Sequence, residues 1–197
     1  MLNTHNQRQF STVMGNTMDN IITKITEGDF SYIIRYSRPE DFEQVFDIWY
    51  ENQKYSLNRN ELKPIEQLKE KLNYQFLNQD HNFKFWLAEC NNQILGYNST
   101  NPTESNPMLN DEIAEVSTYI HKDFWDKNIG YNLMKTCLDG LPWLELKTLY
   151  GRILPTNIFA IKLVESLNWK LIGKIPFSLK EPKVPELFFY IYNVPKI

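Results

Sequence analysis

The chain has 197 residues, of which 42% are hydrophobic and 14% are aromatic, and its formal net charge is −3. A chain of this length and composition can bury a sizeable core, so we expect one folded domain. The small negative charge and the absence of a basic segment argue against a nucleic-acid-binding protein.

Cysteine, histidine and apolar residues are distributed as in a cytoplasmic protein without a metal. Cys90 and Cys137 fall in predicted core segments, and their wide separation fits neither a disulfide framework nor a zinc site. His5 and His81 lack the spacing of metal ligands. No apolar run approaches the roughly 18 residues of a membrane span, and the N-terminus lacks the apolar core of a secretory signal.

The apolar periodicity predicts an ordered series of elements after a polar start. Residues 1–30 are rich in Asn, Thr and Gln, and we interpret them as an N-terminal extension in which residues 18–25 can form a short helical turn. The domain then spans residues 31–197. The predicted elements in chain order are a strand at 32–36, helices at 42–49 and 65–76, strands at 83–90, 93–97 and 113–120, a helix at 129–138, a strand at 148–154, a helix at 160–167, and strands at 170–177 and 187–192.

This order of elements predicts an α+β fold. Short connections give antiparallel hairpins early in the chain, and residues 98–111 read as a loop rich in Asn, Pro, Ser and Thr. Strand–helix–strand crossovers come later. We therefore expect a central mixed, mostly antiparallel twisted sheet of about seven strands, with about four helices on its faces.

The segment 113–131 carries the first functional signal. It is predicted to form a strand, then a short polar loop, then a helix that begins around Gly130. The first amides of a helix have no partner within the helix, and the helix dipole adds positive charge at that end. Such a helix start binds phosphate or diphosphate groups.

Three motifs in this order resemble the GNAT superfamily of N-acetyltransferases. The hairpin over residues 87–97 has the family pattern Leu-Ala-Glu-x-x-x-x-Ile-x-Gly-Tyr, and Trp125 to Gly130 stands at the family's diphosphate loop. Asn157 and Ala160 match a third landmark after the next strand. The resemblance covers roughly residues 32–193. It implies the GNAT three-layer fold and acetyl-CoA as co-substrate.

Within the superfamily the chain is most similar to the phosphinothricin acetyltransferase-like group, whose central strand carries Glu-x-Ser/Thr-x-Tyr-Val/Ile. Here the strand reads Glu-Val-Ser-Thr-Tyr-Ile over residues 115–120. The resemblance implies that Glu115 is the general base and that Asn157 assists cofactor binding. It also implies that the pantetheine arm and the diphosphate lie on Thr118, Tyr119, Ile120, Asp126, Lys127, Asn128, Ile129, Gly130 and Tyr131.

Four departures from the family pattern accompany this resemblance. Trp125 replaces the usual Gln or Arg, which removes one side-chain contact to the diphosphate, and Asn128 replaces a glycine. If that position requires a positive φ, Asn is the least costly substitute. Val164 stands where many members have a tyrosine that protonates the thiolate. Residues 98–112 contain no Arg or Lys, so an acceptor carboxylate would not be held there as in the resembling group.

Each site residue also has a purely structural interpretation. Glu115 can be a salt-bridged residue near a strand end, the segment 126–131 can be a plain helix start, and Asn157 can be a helix N-cap. The strand alternation predicts that Glu115, Ser117 and Tyr119 share one face of the sheet. Partial burial on that face would suit Glu115 to accept a proton.

The sequence therefore predicts an acetyl-CoA-dependent N-acetyltransferase without a metal, which transfers acetyl directly to a primary amine of a small molecule in a ternary complex. Glu104, Asp111 and Glu112 favour a cationic acceptor. The alternatives are a non-catalytic acyl-CoA-binding or interaction domain on the same fold, and a protein N-terminal acetyltransferase. A homodimer through the C-terminal strands is common in the resembling group. No nucleic-acid or membrane partner is expected.

Overall fold

The computed structural model describes residues 21–56, 64–102, 111–141, 144–176 and 186–195, without the side chains of residues 54–56. Its elements in chain order are β1 (Ile21–Glu27), β2 (Phe30–Tyr36), α1 (Phe42–Ser56), α2 (Ile65–Leu77), β3 (Phe85–Cys90), β4 (Gln93–Pro102), β5 (Ile113–Ile120), α3 (Ile129–Gly140), β6 (Thr148–Ile153), α4 (Ile158–Ser166), β7 (Lys170–Pro176) and β8 (Glu186–Asn193). Short 3-10 turns precede α1 and α3.

The described strands form one sheet in the order β1-β2-β3-β4-β5-β6-β8-β7. Every neighbouring pair is antiparallel except β5 and β6, which are parallel. The predicted α+β architecture is thus confirmed, with eight strands in the described part of the chain where about seven were expected.

The additional strand corrects the interpretation of the segment before residue 30. Ile21–Glu27 forms β1, not a helical turn, and pairs with β2 from Ile21↔Arg35 to Glu27↔Phe30. The segment is rich in Ile and Thr, whose β-branched side chains favour strands. Residues 21–30 therefore belong to the sheet and not to an extension, while residues 1–20 lie outside the described part.

A second correction concerns the loop predicted at 98–111. Strand β4 continues to Pro102 and pairs with β5 from Gly96↔Ile120 to Pro102↔Ala114. Its polar residues Asn98, Ser99 and Thr100 are buried, which their composition did not indicate. The residues 103–110 lie outside the described part of the chain.

Hydrophobic cores lie on both faces of the sheet. On one face, α3 residues such as Leu133 and Cys137 pack against Ala114 and Val116 of β5. On the other face, α1 and α2 pack against β3 and β4, and Tyr119 of β5 contacts this second core. Cys137 is fully buried, and burial raises the pKa of its thiol, as expected for a core cysteine.

The feature that positions the candidate site is the short contact between β5 and β6. The two strands pair only from Ile113↔Thr148 to Glu115↔Tyr150. Beyond this point β5 continues to Ile120 and β6 to Ile153 without pairing to each other. The main chain of residues 116–120 therefore lacks β6 as a hydrogen-bonding partner, so the sheet is open at this edge.

Candidate active site

Glu115 is the last residue of β5 that pairs with β6, and it lies on the same face of the sheet as Ser117 and Tyr119. The alternation predicted this face, and the packing agrees with it, because Val116 lies in the core under α3 while Tyr119 contacts the core under α1. Glu115 is half-buried, at the point where β5 and β6 separate.

Arg152 of β6 binds the carboxylate of Glu115. Its Nη2 donates to Oε1 at 2.7 Å and to Oε2 at 2.9 Å, and its Nε donates to Oε1 at 2.9 Å. The side chains are 48% exposed for Arg152 and 23% exposed for Glu115. Burial alone would lower the pKa of Arg152, but the hydrogen bonds and the charge of Glu115 outweigh it and raise that pKa. The salt-bridged state that the sequence left open for Glu115 is thus present.

Arg152 is the residue of the site that the sequence analysis missed. The available signal was a charged side chain in a strand that is otherwise largely apolar. That signal does not identify the partner. The register of a parallel pair, formed across a long crossover, sets Tyr150 opposite Glu115 and so puts Arg152, two residues further along β6, on the same face as Glu115.

Polar side chains surround this ion pair on the same face of the sheet. Ser99 and Asn101 of β4 stand opposite Ser117 and Glu115, and Asn101 Nδ2 donates to Ser99 Oγ at 3.0 Å. Burial raises the pKa of Tyr119, which stays neutral and able to donate a hydrogen bond. This face can therefore bind a small polar molecule beside Glu115.

The predicted pantetheine-binding residues lie on the part of β5 that pairs with β4 but not with β6. The hydroxyl of Thr118 donates to Asn98 Oδ1 at 2.7 Å, so this side chain is engaged within the protein. The carbonyl oxygen of Ile120 accepts from Asn52 Nδ2 of α1 at 3.0 Å and from Trp125 Nε1 at 2.9 Å. Ligand contacts on this part of β5 would therefore come mainly from the main chain.

The loop between β5 and α3 ends at a residue in the left-handed conformation. Asn128 has φ 55° and ψ 8°, so the position at which the family pattern has a glycine does adopt a positive φ, which asparagine tolerates. No described side chain caps α3 at this residue. The amides of Ile129, Gly130 and Tyr131 therefore form an uncapped first turn, which can bind a diphosphate.

The side chains of this loop differ in what they can offer an anion. Lys127 Nζ lies 3.6 Å from Asp126 Oδ2, and both side chains are largely exposed. Lys122 Nζ pairs with Glu51 of α1 at 2.6 Å. The indole N–H of Trp125 donates to the carbonyl oxygen of Ile120 and is therefore engaged within the protein.

Asn157 and Val164 belong to α4, which packs beside the start of α3. Asn157 Oδ1 accepts from Ala160 N at 3.1 Å, so the N-cap interpretation of Asn157 is confirmed. Its Nδ2 makes no hydrogen bond to any described residue and can still bind a ligand. Val164 is buried in the core with 5% exposure and cannot donate a proton.

Several predicted features lie elsewhere or outside the described residues. Glu112 pairs with Lys147 and Asp111 is exposed, while Glu104 lies outside the described part. His121 accepts from Asp123 N at 3.3 Å, as a loop histidine does.

Within the described ranges, no cluster of His, Cys, Asp and Glu could hold a metal ion. No helix in those ranges has the length and apolar character needed to cross a bilayer.

Solved structures with this fold include three acetyltransferases. A phosphinothricin acetyltransferase from Sinorhizobium meliloti in complex with acetyl-CoA superposes with a TM-score of 0.70 at 15% identity, over 83% of this chain and 88% of that one. A ribosomal-protein-alanine N-acetyltransferase from Brucella melitensis gives 0.69 at 20% identity, over 81% and 98%. An N-acetyltransferase from Staphylococcus aureus Mu50 gives 0.70 at 19% identity, over 83% and 99%.

At these identities the structural likeness establishes the fold, and the sequence itself establishes the family. The sequence model of the Acetyltransferase (GNAT) family matches residues 42–169, which include α1, the strand with Glu115, the loop before α3 and the N-cap of α4. The chain therefore belongs to the GNAT acetyltransferase family.

Proposed function

We propose that this protein is an acetyl-CoA-dependent N-acetyltransferase that moves an acetyl group to a primary amine of a small molecule by direct transfer in a ternary complex. The observation that carries the proposal is the end of the β5–β6 pairing at Glu115. It leaves an open strand edge beside a carboxylate. A thioester laid along that edge would reach the carboxylate.

The cofactor would extend from this strand edge to the start of α3. Main-chain groups of residues 118–120 would bind the pantetheine arm, since β6 does not pair with them. The uncapped amides of residues 129–131 would bind the diphosphate, and exposed Lys127 would add a charged contact. Asn157 Nδ2 would assist while its Oδ1 caps α4.

Acetyl transfer requires a deprotonated amine, stabilisation of the oxyanion and departure of the thiolate. In this proposal the ammonium of the acceptor displaces Arg152 from Glu115, and Glu115 then accepts its proton. The displacement is inexpensive because Arg152 is 48% exposed, and exposed ion pairs contribute only about 0–1 kcal/mol. The amine then attacks the thioester carbonyl, and main-chain amides of β5 stabilise the oxyanion of the tetrahedral intermediate. As the C–S bond breaks, the second proton of the nitrogen passes through water to the departing thiolate, since Val164 cannot supply one.

The remaining parts of the proposal concern partners and location. The polar face around Ser99, Ser117 and Tyr119 supports a small polar acceptor. The edge strand β7 exposes Leu171, Ile172 and Ile175, which supports a homodimer through the C-terminal strands. We place the protein in the cytoplasm because Cys90 and Cys137 are free thiols, as is usual in a reducing compartment.

One observation favours a second candidate, a non-catalytic acyl-CoA-binding domain. Arg152 occupies both oxygens of the only predicted base, and Val164 removes the usual acid. Such a domain would bind coenzyme A without turning it over.

A thiol-release screen of acetyl-CoA with amino acids, polyamines, aminoglycosides and short peptides tests these candidates, with calorimetry of coenzyme A binding beside it. Thiol release with a small amine supports the proposed function. Release with peptides alone points to a protein N-terminal acetyltransferase. Tight binding without release by any amine favours the non-catalytic domain. No binding of coenzyme A refutes all three.

A further inference from the structure

The hairpin formed by β1 and β2 packs against the loop that precedes α3. The rings of Phe30 and Phe124 are stacked with centroids 6.2 Å apart and planes inclined by 16°. Phe124 lies in the 3-10 turn after β5, and its ring is 5.7 Å from that of His121. A residue at the turn of the hairpin thus contacts the segment between β5 and α3, just before the candidate diphosphate-binding residues.

A polar contact ties the same hairpin to the first turn of α3. Asn132 Nδ2 donates to Glu27 Oε1 at 3.0 Å and to the hydroxyl of Tyr32 at 2.8 Å. The main-chain amide of Asn132 donates to Asn128 O at 3.1 Å, which closes the first turn of the helix. One residue therefore connects both strands of the hairpin to the left-handed residue that starts α3.

The hairpin lies outside the stretch that identifies the family. The family match begins at residue 42, whereas β1 and β2 end at Glu27 and Tyr36. The two-residue turn between them is formed by Gly28, with φ 61°, and Asp29. The contact of Phe30 with the loop, and those of Glu27 and Tyr32 with α3, therefore come from residues before the stretch that the family model matches.

We propose that the β1–β2 hairpin is part of the cofactor site, with Phe30 as a positioning residue that holds residues 121–128 ready for the diphosphate. This inference rests on the proposed function. The loop contains a non-glycine residue at positive φ, and no described side chain caps α3 there. Contacts from outside, such as the ring of Phe30, therefore add to the loop's own hydrogen bonds in holding its conformation. A loop held in its binding conformation before the ligand arrives loses less entropy on binding.

The test compares Phe30→Ala with two controls in the full chain. Phe30→Tyr keeps the ring, and Ile21→Ala removes a 43% exposed side chain from the other strand of the hairpin, at the end distant from the turn. Coenzyme A affinity is measured by calorimetry. If the wild type releases thiol, kcat/KM is also measured with acetyl-CoA and with acetylpantetheine, which lacks the diphosphate. Hydrogen exchange of the amides of residues 121–132 is followed in the free proteins.

We expect Phe30→Ala to raise the Kd for coenzyme A about tenfold, which corresponds to about 1.4 kcal/mol. Exchange in residues 121–132 should become faster, and kcat/KM with acetylpantetheine should not change. Phe30→Tyr and Ile21→Ala should bind like the wild type. Unchanged affinity in Phe30→Ala, or an equal loss with acetylpantetheine, overturns the inference and leaves the proposed function standing. A wild type that binds no coenzyme A overturns both.

Discussion

The substitution Glu115→Gln tests whether Glu115 acts as a general base or serves only as the ion-pair partner of Arg152. Glutamine keeps the size of the side chain and can still accept hydrogen bonds from Arg152, but it cannot take the proton of an ammonium. The ion pair involves a 48% exposed arginine, so its loss should lower stability by about 0.2–1 kcal/mol. For a chain of this size that loss lowers Tm by at most a few degrees, about 2–4 °C per kcal/mol.

The expected effect on catalysis is much larger than the effect on folding. General base catalysis contributes about 10²- to 10⁴-fold to a rate. Glu115→Gln should therefore reduce thiol release by this factor with the best amine of the screen. Binding of coenzyme A should stay unchanged, because the predicted cofactor contacts begin at residue 118. Thiol release, calorimetry and thermal unfolding measure the three quantities on the same preparation.

Arg152→Met is the matched control, because it removes the same ion pair from the other side. Methionine keeps most of the apolar stem of the arginine, and Glu115 keeps its carboxylate. An ion pair worth about 1 kcal/mol changes an equilibrium about fivefold, so Arg152→Met should retain activity within about that factor. If Arg152→Met is as inactive as Glu115→Gln, the pair itself is required and Glu115 is not shown to be a base. Full activity in Glu115→Gln refutes the assignment outright.

Three further predictions concern the loop, the N-cap and the alkaline stability. Asn128→Gly should keep the affinity for coenzyme A, which calorimetry measures. Asn128→Val should destabilise the protein by about 1–2 kcal/mol, because valine tolerates the left-handed φ of this position poorly. If thermal unfolding shows Asn128→Val to be as stable as the wild type, the position is not strained. Asn157→Ala should lower the stability of the protein by about 1 kcal/mol, because the N-cap of α4 is lost. Asn157→Ser keeps the cap and should weaken only the binding of coenzyme A. If Asn157→Ser binds coenzyme A like the wild type, Asn157 is not part of the cofactor site. Burial raises the pKa of Tyr32 to about 12, with the charge of Glu27 adding to it and the hydrogen bond from Asn132 opposing it. The pKa of Tyr32 in the folded state lies above the ordinary value of about 10. The contribution of neutral Tyr32 to the free energy of unfolding is therefore complete below a pH of about 10 and is lost as the pH rises through about 12. Over that pH range the free energy of unfolding, measured with urea, should therefore fall less in Tyr32→Phe than in the wild type. Equal decreases in the two proteins would exclude Tyr32 as the cause.

The parts of the site that depend on local sequence could be predicted. Alternation along β5 placed Glu115 and Tyr119 on one face, because side chains in a strand alternate whatever the strand pairs with. The positive φ of Asn128 followed from its place in a motif and from the tolerance of asparagine for that conformation. Such features are decided within a few residues of the chain.

The parts that depend on pairing across the sheet could not be predicted. The Arg152–Glu115 contact depends on the register of β5 against β6, which the sequence of neither strand fixes. The extension of β4 buries Asn98, Ser99 and Thr100, whose polar character indicated a loop. β1 follows a polar segment, and its strand character becomes evident only once β2 is available as a partner.

The carbonyl oxygen of Ile120 accepts hydrogen bonds both from the proposed acceptor side of the site and from the proposed cofactor side. Asn52 reaches it from α1, on the face where an amine would bind, and Trp125 reaches it from the loop before α3. A library at residue 52 that aims at new amines will therefore also alter the affinity for acetyl-CoA. Trp125→Gln would remove one of the two hydrogen bonds to the same oxygen. Selections for a new amine should therefore also measure acetyl-CoA affinity, and selections at residue 125 should also measure amine affinity.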